Sequence, residues 1–412
     1  MAITVSTPNN VESNNGNSLA VFKESTTNKF YVKDINGQIQ DIASGLGLTV
    51  IFEIGTGANS TQRIGSGTAS AVGSTISGGT IQNASGLSST IGGGTTNTAS
   101  NKNSTVSGGS NNIASNPNST VSGGSSNTAS GYVYGKSTVG GGNSNTASAD
   151  NSTVSGGQNN TASGEYSTTV GGGNSNTAST NYATVSGGQS HTASGKNSTV
   201  SGGTTNIASG SDSTVGGGNT NTASGVYSVV GGGGYNTSSA GNSTVSGGYG
   251  NGGSGGFATV SGGGYNTASG VYSVVGGGFE NSASNTDCTV GGGSTNISSG
   301  ADGTVGGGKE NVASGQFSAV CGGTKNQATA LQSTICGGEN NVASAVESSI
   351  LGGSQNSTST FQNSHILGSN ITSDRIDCAF VENLSIKSIP TAAVGLPSGS
   401  LWSNAGVINI VP

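Results

Sequence analysis

Few residues in this sequence have the types and spacing that chemistry requires. Residues 131–137 (GYVYGKS) resemble a phosphate-binding Walker A loop, but only three residues separate the glycines where four are needed. Residues 252–256 (GGSGG) have the spacing of a nucleophile elbow, a match that is expected by chance in a chain with 78 glycines. His191 and His365 have no catalytic or metal-binding partners nearby in the sequence. We therefore predict no catalytic residue, no metal site, no cofactor and no enzymatic activity.

The four cysteines are too few for a disulfide framework in 412 residues, which indicates synthesis in a reducing compartment. Cys321 and Cys336 stand at equivalent positions of neighbouring repeats, within reach of a bridge if the repeats stack. Because neighbours in register rarely offer the side-chain geometry of a disulfide, we expect free thiols.

Aromatic side chains are the most distinctive surface feature of an otherwise polar repeat. They lie at turn positions that are polar in most repeats, namely at Tyr227, Tyr235, Tyr249, Phe257, Tyr265, Tyr272 and Phe279. Flat rings on an uncharged surface can stack against sugar rings, so these residues are candidate contacts to a glycan or another receptor. The alternative is that they pack between chains or fill corners of the fold.

The composition excludes several classes of protein. Only 30% of residues are hydrophobic and 7% are charged, which is too little apolar material for the core of a globular enzyme of this length. Five prolines and a net charge of -6 are unlike a disordered chain, and no basic cluster suggests a nucleic-acid partner. No apolar run is long enough to insert in a membrane, and residues 1–10 lack the pattern of a secretory signal.

A short repeat, with a period of about 15 residues, organises residues 61–369. Its consensus is S-T-V-(S/G)-G-G-x-x-N-T-A-S-G-x-x, and its Val or Ile, which we number position 0, recurs from Ile76 to Ile366. The S-T-V and N-T-A-S segments predict two short strands, and Gly-Gly at +2 and +3 predicts a tight corner. Two strands and two corners per repeat predict an all-β fold, a parallel β-roll or β-solenoid of about 20 coils.

Positions 0, +2, +6 and +8 are predicted to face the interior, which gives a thin core of Val, Gly, Asn and Ala. Among repeats that carry Gly-Gly, the Asn at +6 is replaced only by Gln82 and His191. We predict that this column is a buried ladder in which each amide bonds to the coil above and below. Members of the column are Asn112, Asn206, Asn221, Asn296 and Asn341. The alternative is that Asn only tolerates a left-handed corner.

Each coil offers one Val and one Ala for burial, which is little against the entropy of ordering all the residues of the coil. The opposite face of the strands carries Thr at -1 and Thr, Ile or Val at +7, as at Ile113 and Ile207. Association of chains through this face would bury more apolar surface. We therefore expect a homo-oligomer.

The repeat is similar to the Hep/Hag-type repeat of YadA-like trimeric adhesin heads, a motif also found in phage and giant-virus fibres. The resemblance rests on TVSGGxxNTASGxxS and covers most of the chain, from Ser74 to Ile366. It implies a left-handed parallel β-roll assembled as a homotrimer. The coil is one residue longer here than is common in adhesin heads, and no secretion signal, stalk or membrane anchor is recognised in the chain.

Residues 1–60 and 370–412 have a more ordinary composition and are expected to form small β end domains. Residues 30–42 (FYVKDINGQIQDI) predict a hairpin turning at Asn36 and Gly37, and residues 46–54 another strand. Residues 374–380 and 384–389 predict strands, and residues 395–412 predict a hairpin turning at 404–406. We expect an attachment module before the repeat and a cap over the open edge after it.

These features predict a structural fibre or spike protein of a virus or phage particle, made in the host cytoplasm and located on the virion surface. Its partners would be itself, other virion proteins and a host surface receptor, with no nucleic acid and no membrane insertion. The alternatives are a trimeric adhesin at a cell surface and an ice-binding solenoid. Ice binding would use the Thr columns at -1 and +7, and the Ile and Val residues at +7 weaken it.

Overall fold

The computed structural model describes residues 9–12, 18–23, 30–33, 39–41, 52–54, 56–63, 67–131, 135–166, 168–385, 389–404 and 407–411. These residues are all-β and contain no helix. The chain divides into two compact units, Met1–Gly264 and Tyr265–Pro412. Both contain a parallel β-solenoid with a repeat of about 15 residues and about 21 turns in all, which confirms the predicted fold class.

Most coils contribute one strand of two residues to each of two parallel ladders. The first ladder contains positions -1 and 0, and the second contains +7 and +8. Coils stack in register, so that Thr90 pairs with Thr105 and Ile91 pairs with Val106. Short strands suffice because backbone groups between them also bond to the next coil, as where the Ser110 N–H donates to the Gly124 carbonyl at 2.9 Å.

In the first unit the ladders begin at Thr61. The first ladder comprises Thr61–Arg63, Thr75–Ile76, Thr90–Ile91, Thr105–Val106, Thr120–Val121, Thr138–Val139, Thr153–Val154, Thr169–Val170, Thr184–Val185, Thr199–Val200, Thr214–Val215, Val229–Val230, Thr244–Val245 and Thr259–Val260. The second comprises Gly67–Ala69, Gln82–Ala84, Thr98–Ala99, Ile113–Ala114, Thr128–Ala129, Thr146–Ala147, Thr161–Ala162, Thr177–Ala178, Thr192–Ala193, Ile207–Ala208, Thr222–Ala223, Thr237–Ser238 and Gly252–Gly253.

The second unit repeats the arrangement. Its first ladder comprises Val274–Val275, Thr289–Val290, Thr304–Val305, Ala319–Val320, Thr334–Ile335, Ser349–Ile350, His365–Leu367 and Ala379–Val381. Its second ladder comprises Thr267–Ala268, Ser282–Ala283, Ile297–Ser298, Val312–Ala313, Gln327–Ala328 and Val342–Ala343.

Four columns of side chains form the interior of each coil. Val or Ile at 0, Asn at +6 and Ala at +8 are buried, as in Val106, Asn112 and Ala114. The interior assignment was wrong at +2, where Gly108 is half-exposed, and it missed position -2, where Ser104 is buried. Side chains at -2 and 0 share one face of a strand because alternate residues point the same way.

The second glycine of the Gly-Gly pair makes the corner possible. Gly109 has φ +88°, and a Cβ at this position would lie 2.1 Å from the carbonyl oxygen of Gly124 in the next coil. A Cβ at Gly108 would meet nothing within 4 Å. The corner predicted from Gly-Gly is present, and its steric requirement lies at +3.

The segment before the first unit's ladders has its own antiparallel sheet. Its strands Asn9–Glu12, Ser18–Lys23, Phe30–Lys33 and Ile39–Asp41 pair in chain order. The last two strands are those of the predicted hairpin, and its turn at Asn36 and Gly37 lies outside the described residues. Of the strand predicted at 46–54, the structure describes Phe52–Ile54, which pairs antiparallel with Thr61–Arg63.

The predictions at the other end hold in part. Leu401–Asn404 and Val407–Ile410 form the predicted antiparallel hairpin, and the two residues between them lie outside the described residues. Of the strand predicted at 374–380, only its last two residues are in a strand, Ala379–Val381, which continues the first ladder beside His365–Leu367. The strand predicted at 384–389 is wrong where the chain is described, at 384–385 and 389.

Candidate functional site

The Asn column is a buried hydrogen-bonding system that joins successive coils. The backbone N–H of Asn112 donates to Oδ1 of Asn97 at 2.9 Å. Nδ2 of Asn112 donates to the carbonyl oxygen of Gly108 in its own coil at 2.8 Å and to that of Gly124 in the next coil at 2.9 Å. One side chain therefore fixes the corner of its own coil and holds the coil that follows.

The same bonds recur at the other predicted members of the column. Nδ2 donates to two glycine carbonyls in each case, at Asn206, Asn221, Asn296 and Asn341. This differs from the predicted ladder, in which each side-chain amide would bond to the amides above and below. Here the backbone N–H of each Asn bonds to the side chain in the preceding coil, and Nδ2 bonds to a backbone carbonyl in the following coil. A direct contact between side chains occurs where Nδ2 of Asn341 donates to Oδ1 of Asn326 at 3.0 Å.

Two residues replace Asn in this column and keep part of its chemistry. Oε1 of Gln82 accepts from the backbone N–H of Asn97 at 2.9 Å, and Nδ1 of His191 accepts from that of Asn206 at 3.0 Å. Burial lowers the pKa of His191 from its ordinary value. His191 is therefore a neutral interior acceptor in the fold.

The buried Ser column at -2 was missed by sequence reasoning. Oγ of Ser104 donates to the carbonyl oxygen of Asn101 at 2.7 Å, and Oγ of Ser119 does the same to Asn116 at 2.7 Å. These bonds stabilise the corner that leads into the first ladder. The signal was present in the alternation of S-T-V, which places Ser on the same face as Val.

The predicted aromatic contacts are exposed but belong to two different corners of the coil. In the first unit, Tyr227 and Phe257 are at -3, in the corner before the first ladder, whereas Tyr235 and Tyr249 are at +5 and +4, in the corner after it. The rings of Tyr235 and Tyr249, 55% and 49% exposed, lie 5.3 Å apart at 58°.

In the second unit, Tyr272 is at -3, and Tyr265 and Phe279 are at +5 and +4. The Tyr265 and Phe279 rings are 5.8 Å apart and nearly perpendicular at 84°. Exposed aromatic rings at -3 that the prediction left out are those of Tyr182 in the first unit and Phe317 in the second.

Several of these rings are attached to backbone in the left-handed region. Tyr227, Tyr235 and Phe257 have φ of 58°, 57° and 59°. Other coils often place Asn or Asp there, as at Asn103 and Asp212, because their short polar side chains tolerate this conformation. An aromatic residue at such a position is unfavourable for the backbone, which makes these rings candidates for a functional role, and the same corners also hold Ile81 and Lys136.

His365, which the sequence left without a partner, lies among polar groups. Its Nδ1 is 2.7 Å from Oγ of Ser349 in the neighbouring strand, and its Nε2 is 2.9 Å from Oδ1 of Asn363. A serine nucleophile would need N–H donors for an oxyanion, but the N–H groups of Ser349 and Leu351 donate to ladder carbonyls. These two N–H groups are therefore not available to an oxyanion beside Ser349.

Neither a metal-binding cluster nor a membrane-spanning helix occurs among the described residues. No group of three or more His, Cys, Asp or Glu side chains there is placed to hold a metal ion. None of the described segments forms a helix of the length and apolarity that crossing a membrane requires.

Comparisons with protein-family models and with the sequences of curated proteins give no match for this chain. The likeness to YadA-like repeats therefore rests on the repeat motif, and the fold rests on the structure.

Proposed function

We propose that this protein is a structural fibre protein of a virus or phage particle that contacts a host surface through the exposed aromatic side chains of its coils. The observation that carries the proposal is the combination, within each unit, of coils joined by hydrogen bonds with exposed aromatic rings at corners of left-handed backbone. Stacked coils with buried amides resist bending, which suits a shaft. The role is mechanical and adhesive and involves no turnover.

The receptor proposed for the first unit is a glycan that stacks on Tyr235 and Tyr249. These rings come from adjacent coils, are about half exposed, and each carry a hydroxyl group. A Cβ at Gly234 would lie 3.2 Å from the Tyr249 ring, so the small residue leaves room for this ring to lie against the backbone. Tyrosine suits such contacts because it has a flat apolar body with one polar group and few rotatable bonds.

Glycan binding is tested with the full chain and a panel of purified oligosaccharides. We expect Tyr235→Ser with Tyr249→Ser to weaken binding to the recognised glycan at least tenfold, and Tyr182→Ser, the control, to leave it unchanged. Ser occupies equivalent corner positions at Ser125 and Ser126, so the backbone accepts the change. Binding to no member of the panel, or equal loss in the control, would reject the glycan contact.

Attachment to a particle is tested separately, by immunogold electron microscopy of particles and cells from the source of the sequence. The proposal expects label on fibres of particles. Label confined to the cell surface would favour the alternative function, a trimeric adhesin.

A homotrimer is part of this proposal. It is supported by the resemblance to YadA-like heads and by large apolar side chains that one chain leaves exposed on the outer faces of the strands. These include Ile113 and Ile207 at +7 in the first unit and Leu351 and Leu367 at +1 in the second. Burial of such residues between chains would add the apolar surface that each coil lacks.

Ice binding remains a second candidate because of one observation in the first unit. From Thr75 to Thr214 every strand of the first ladder begins with Thr, and the strands pair in register, which gives an unbroken array of hydroxyl and methyl groups at strand spacing. The Ile and Val residues at +7 do not interrupt this column. Measurement of thermal hysteresis distinguishes the two functions, because the fibre proposal expects none.

A further inference from the structure

Two cysteines face outward from neighbouring coils of the second unit. Cys321 directly follows Val320, and Cys336 directly follows Ile335, and these two strand residues pair in register. The ladder continues through both cysteines, since the Cys321 N–H donates to the Ile335 carbonyl and the Cys336 N–H to the Ile350 carbonyl, each at 2.9 Å. Both side chains are exposed.

The separation of the two thiols suits a covalent bond between them. Adjacent strands of a sheet lie about 4.8 Å apart, which falls within the separation of roughly 4.4–6.8 Å between Cα atoms that a disulfide spans. Their outward side chains stem from equivalent positions of adjacent coils, so the two thiols are neighbours. Partial burial, followed by the nearness of Cys321, raises the pKa of Cys336.

The other two cysteines provide a contrast within the same unit. Cys288 is buried in the Ser column, where its Sγ donates to the carbonyl oxygen of Gly300 at 3.0 Å. Cys378 is half-buried just before the strand Ala379–Val381. Neither occupies the outward column that holds Cys321 and Cys336.

We propose that Cys321 and Cys336 form a reversible dithiol–disulfide pair that reacts with a small disulfide such as oxidised glutathione. One cysteine thiolate attacks a sulfur of glutathione disulfide, which forms a mixed disulfide and releases one glutathione thiolate. The second cysteine thiolate then attacks the protein sulfur of that mixed disulfide, forms the bond between Cys321 and Cys336, and releases the second glutathione. The two thiol protons pass to solvent or to the released glutathiones, and each glutathione disulfide is reduced as one cysteine pair is oxidised.

The disulfide would link two adjacent coils and close the loop that runs from Cys321 to Cys336. In a reducing compartment the pair stays as two thiols. A disulfide in an oxidising medium would depart from the free thiols expected from the sequence. Exposed disulfides tend to be the more easily reduced ones, so the link would form on transfer to an oxidising medium and reverse on return. In the oxidising medium the disulfide would hold these two coils together.

The test uses the full chain, equilibrated in buffers of graded reduced and oxidised glutathione, acid-quenched, alkylated and analysed by mass spectrometry. We expect the intact chain to lose two hydrogen atoms and two alkylatable thiols together, and a digest to contain a linked peptide joining Cys321 to Cys336. The reaction should accelerate as the pH rises, because the attacking group is a thiolate.

Matched variants separate this outcome from general thiol oxidation. Cys321→Ser and Cys336→Ser should each abolish the linked peptide and leave a stable glutathione adduct on the remaining cysteine, whereas Cys378→Ser should leave the linked peptide unchanged. The oxidised wild type should also be cleaved more slowly by protease between residues 321 and 336 than the reduced protein.

Three results would overturn the proposal. The first is a separate glutathione adduct on each of Cys321 and Cys336 in the wild type. The second is that both thiols stay reduced in a buffer that already modifies Cys378. The third is a disulfide that joins two chains on a non-reducing gel.

Discussion

His191 and Asn206 are joined by a hydrogen bond in which the backbone N–H of Asn206 donates to Nδ1 of the imidazole at 3.0 Å. Elsewhere in the column the acceptor is an amide oxygen, as where Oδ1 of Asn206 accepts from the Asn221 N–H at 2.8 Å. In a protonated imidazole Nδ1 also carries a hydrogen, so two N–H donors would face each other. Nδ1 must therefore be unprotonated for this hydrogen bond of the column to form.

The first prediction is a loss of stability in acid that originates at His191. Burial lowers its pKa in the folded protein below the ordinary value of 6.5, so the unfolded chain binds the proton more readily. The stabilisation is fully present above about pH 6.5 and decreases as the pH falls below that value. His191→Asn should reduce this decrease in thermal stability between pH 7 and pH 5.

The control for this prediction is His365→Asn, since His365 is the other histidine and is exposed. It should follow the pH dependence of the wild type. A His191→Asn variant with the same acid sensitivity as wild type would show that His191 is not the group responsible.

The second prediction concerns the Asn column. Asn206→Leu removes the acceptor of the Asn221 N–H and the donor to the Gly202 and Gly218 carbonyls. Each buried group left without a partner costs about 1–3 kcal/mol, and Leu is too large for an interior of Val, Ala and Ser. Thermal unfolding should shift downward, and limited proteolysis should begin near residue 206.

Thr205→Ala provides the adjacent control, because Thr205 is exposed in the corner. Its effect should stay within about 0.5 kcal/mol. Equal unfolding of the two variants would contradict the interior position of Asn206.

The third prediction uses two consecutive glycines. Gly109→Ala places a Cβ 2.1 Å from the Gly124 carbonyl oxygen at φ +88°, so the free energy of unfolding should fall by about 2 kcal/mol or more. Gly108→Ala, where the Cβ meets nothing within 4 Å, should change it by less than about 0.5 kcal/mol. Chemical denaturation of both variants measures the difference, and equal changes in both would contradict the assignment of the steric requirement to Gly109.

The fourth prediction is the homotrimer. Light scattering or native mass spectrometry should give about three times the chain mass of 39.3 kDa, and Leu351→Ser with Leu367→Ser should weaken the assembly at low concentration. These residues are exposed in one chain, so the substitutions should leave the fold of the coil intact. A stable species of 39.3 kDa at micromolar concentration would refute association.

The architecture could be predicted from the sequence alone because the same pattern of residues recurs in coil after coil. A Val or Ile that recurs at a nearly constant interval, with Gly-Gly after it, is compatible with few folds other than stacked coils. Stacking of equal coils places equivalent residues beside each other, as in the pairing of Thr90 with Thr105. The hairpin within residues 395–412 was also predictable, because its signal is local.

Only the tertiary structure decided which atoms of the columns meet. The partners of Asn112 in other coils, Asn97 and Gly124, depend on the rotation of each coil relative to the next, which no local pattern encodes. For the same reason Gly108 and Gly109 look alike in the sequence, although a Cβ is excluded at one and tolerated at the other. Similarly, His365 gained Ser349 as a neighbour because stacking brings together residues one coil apart.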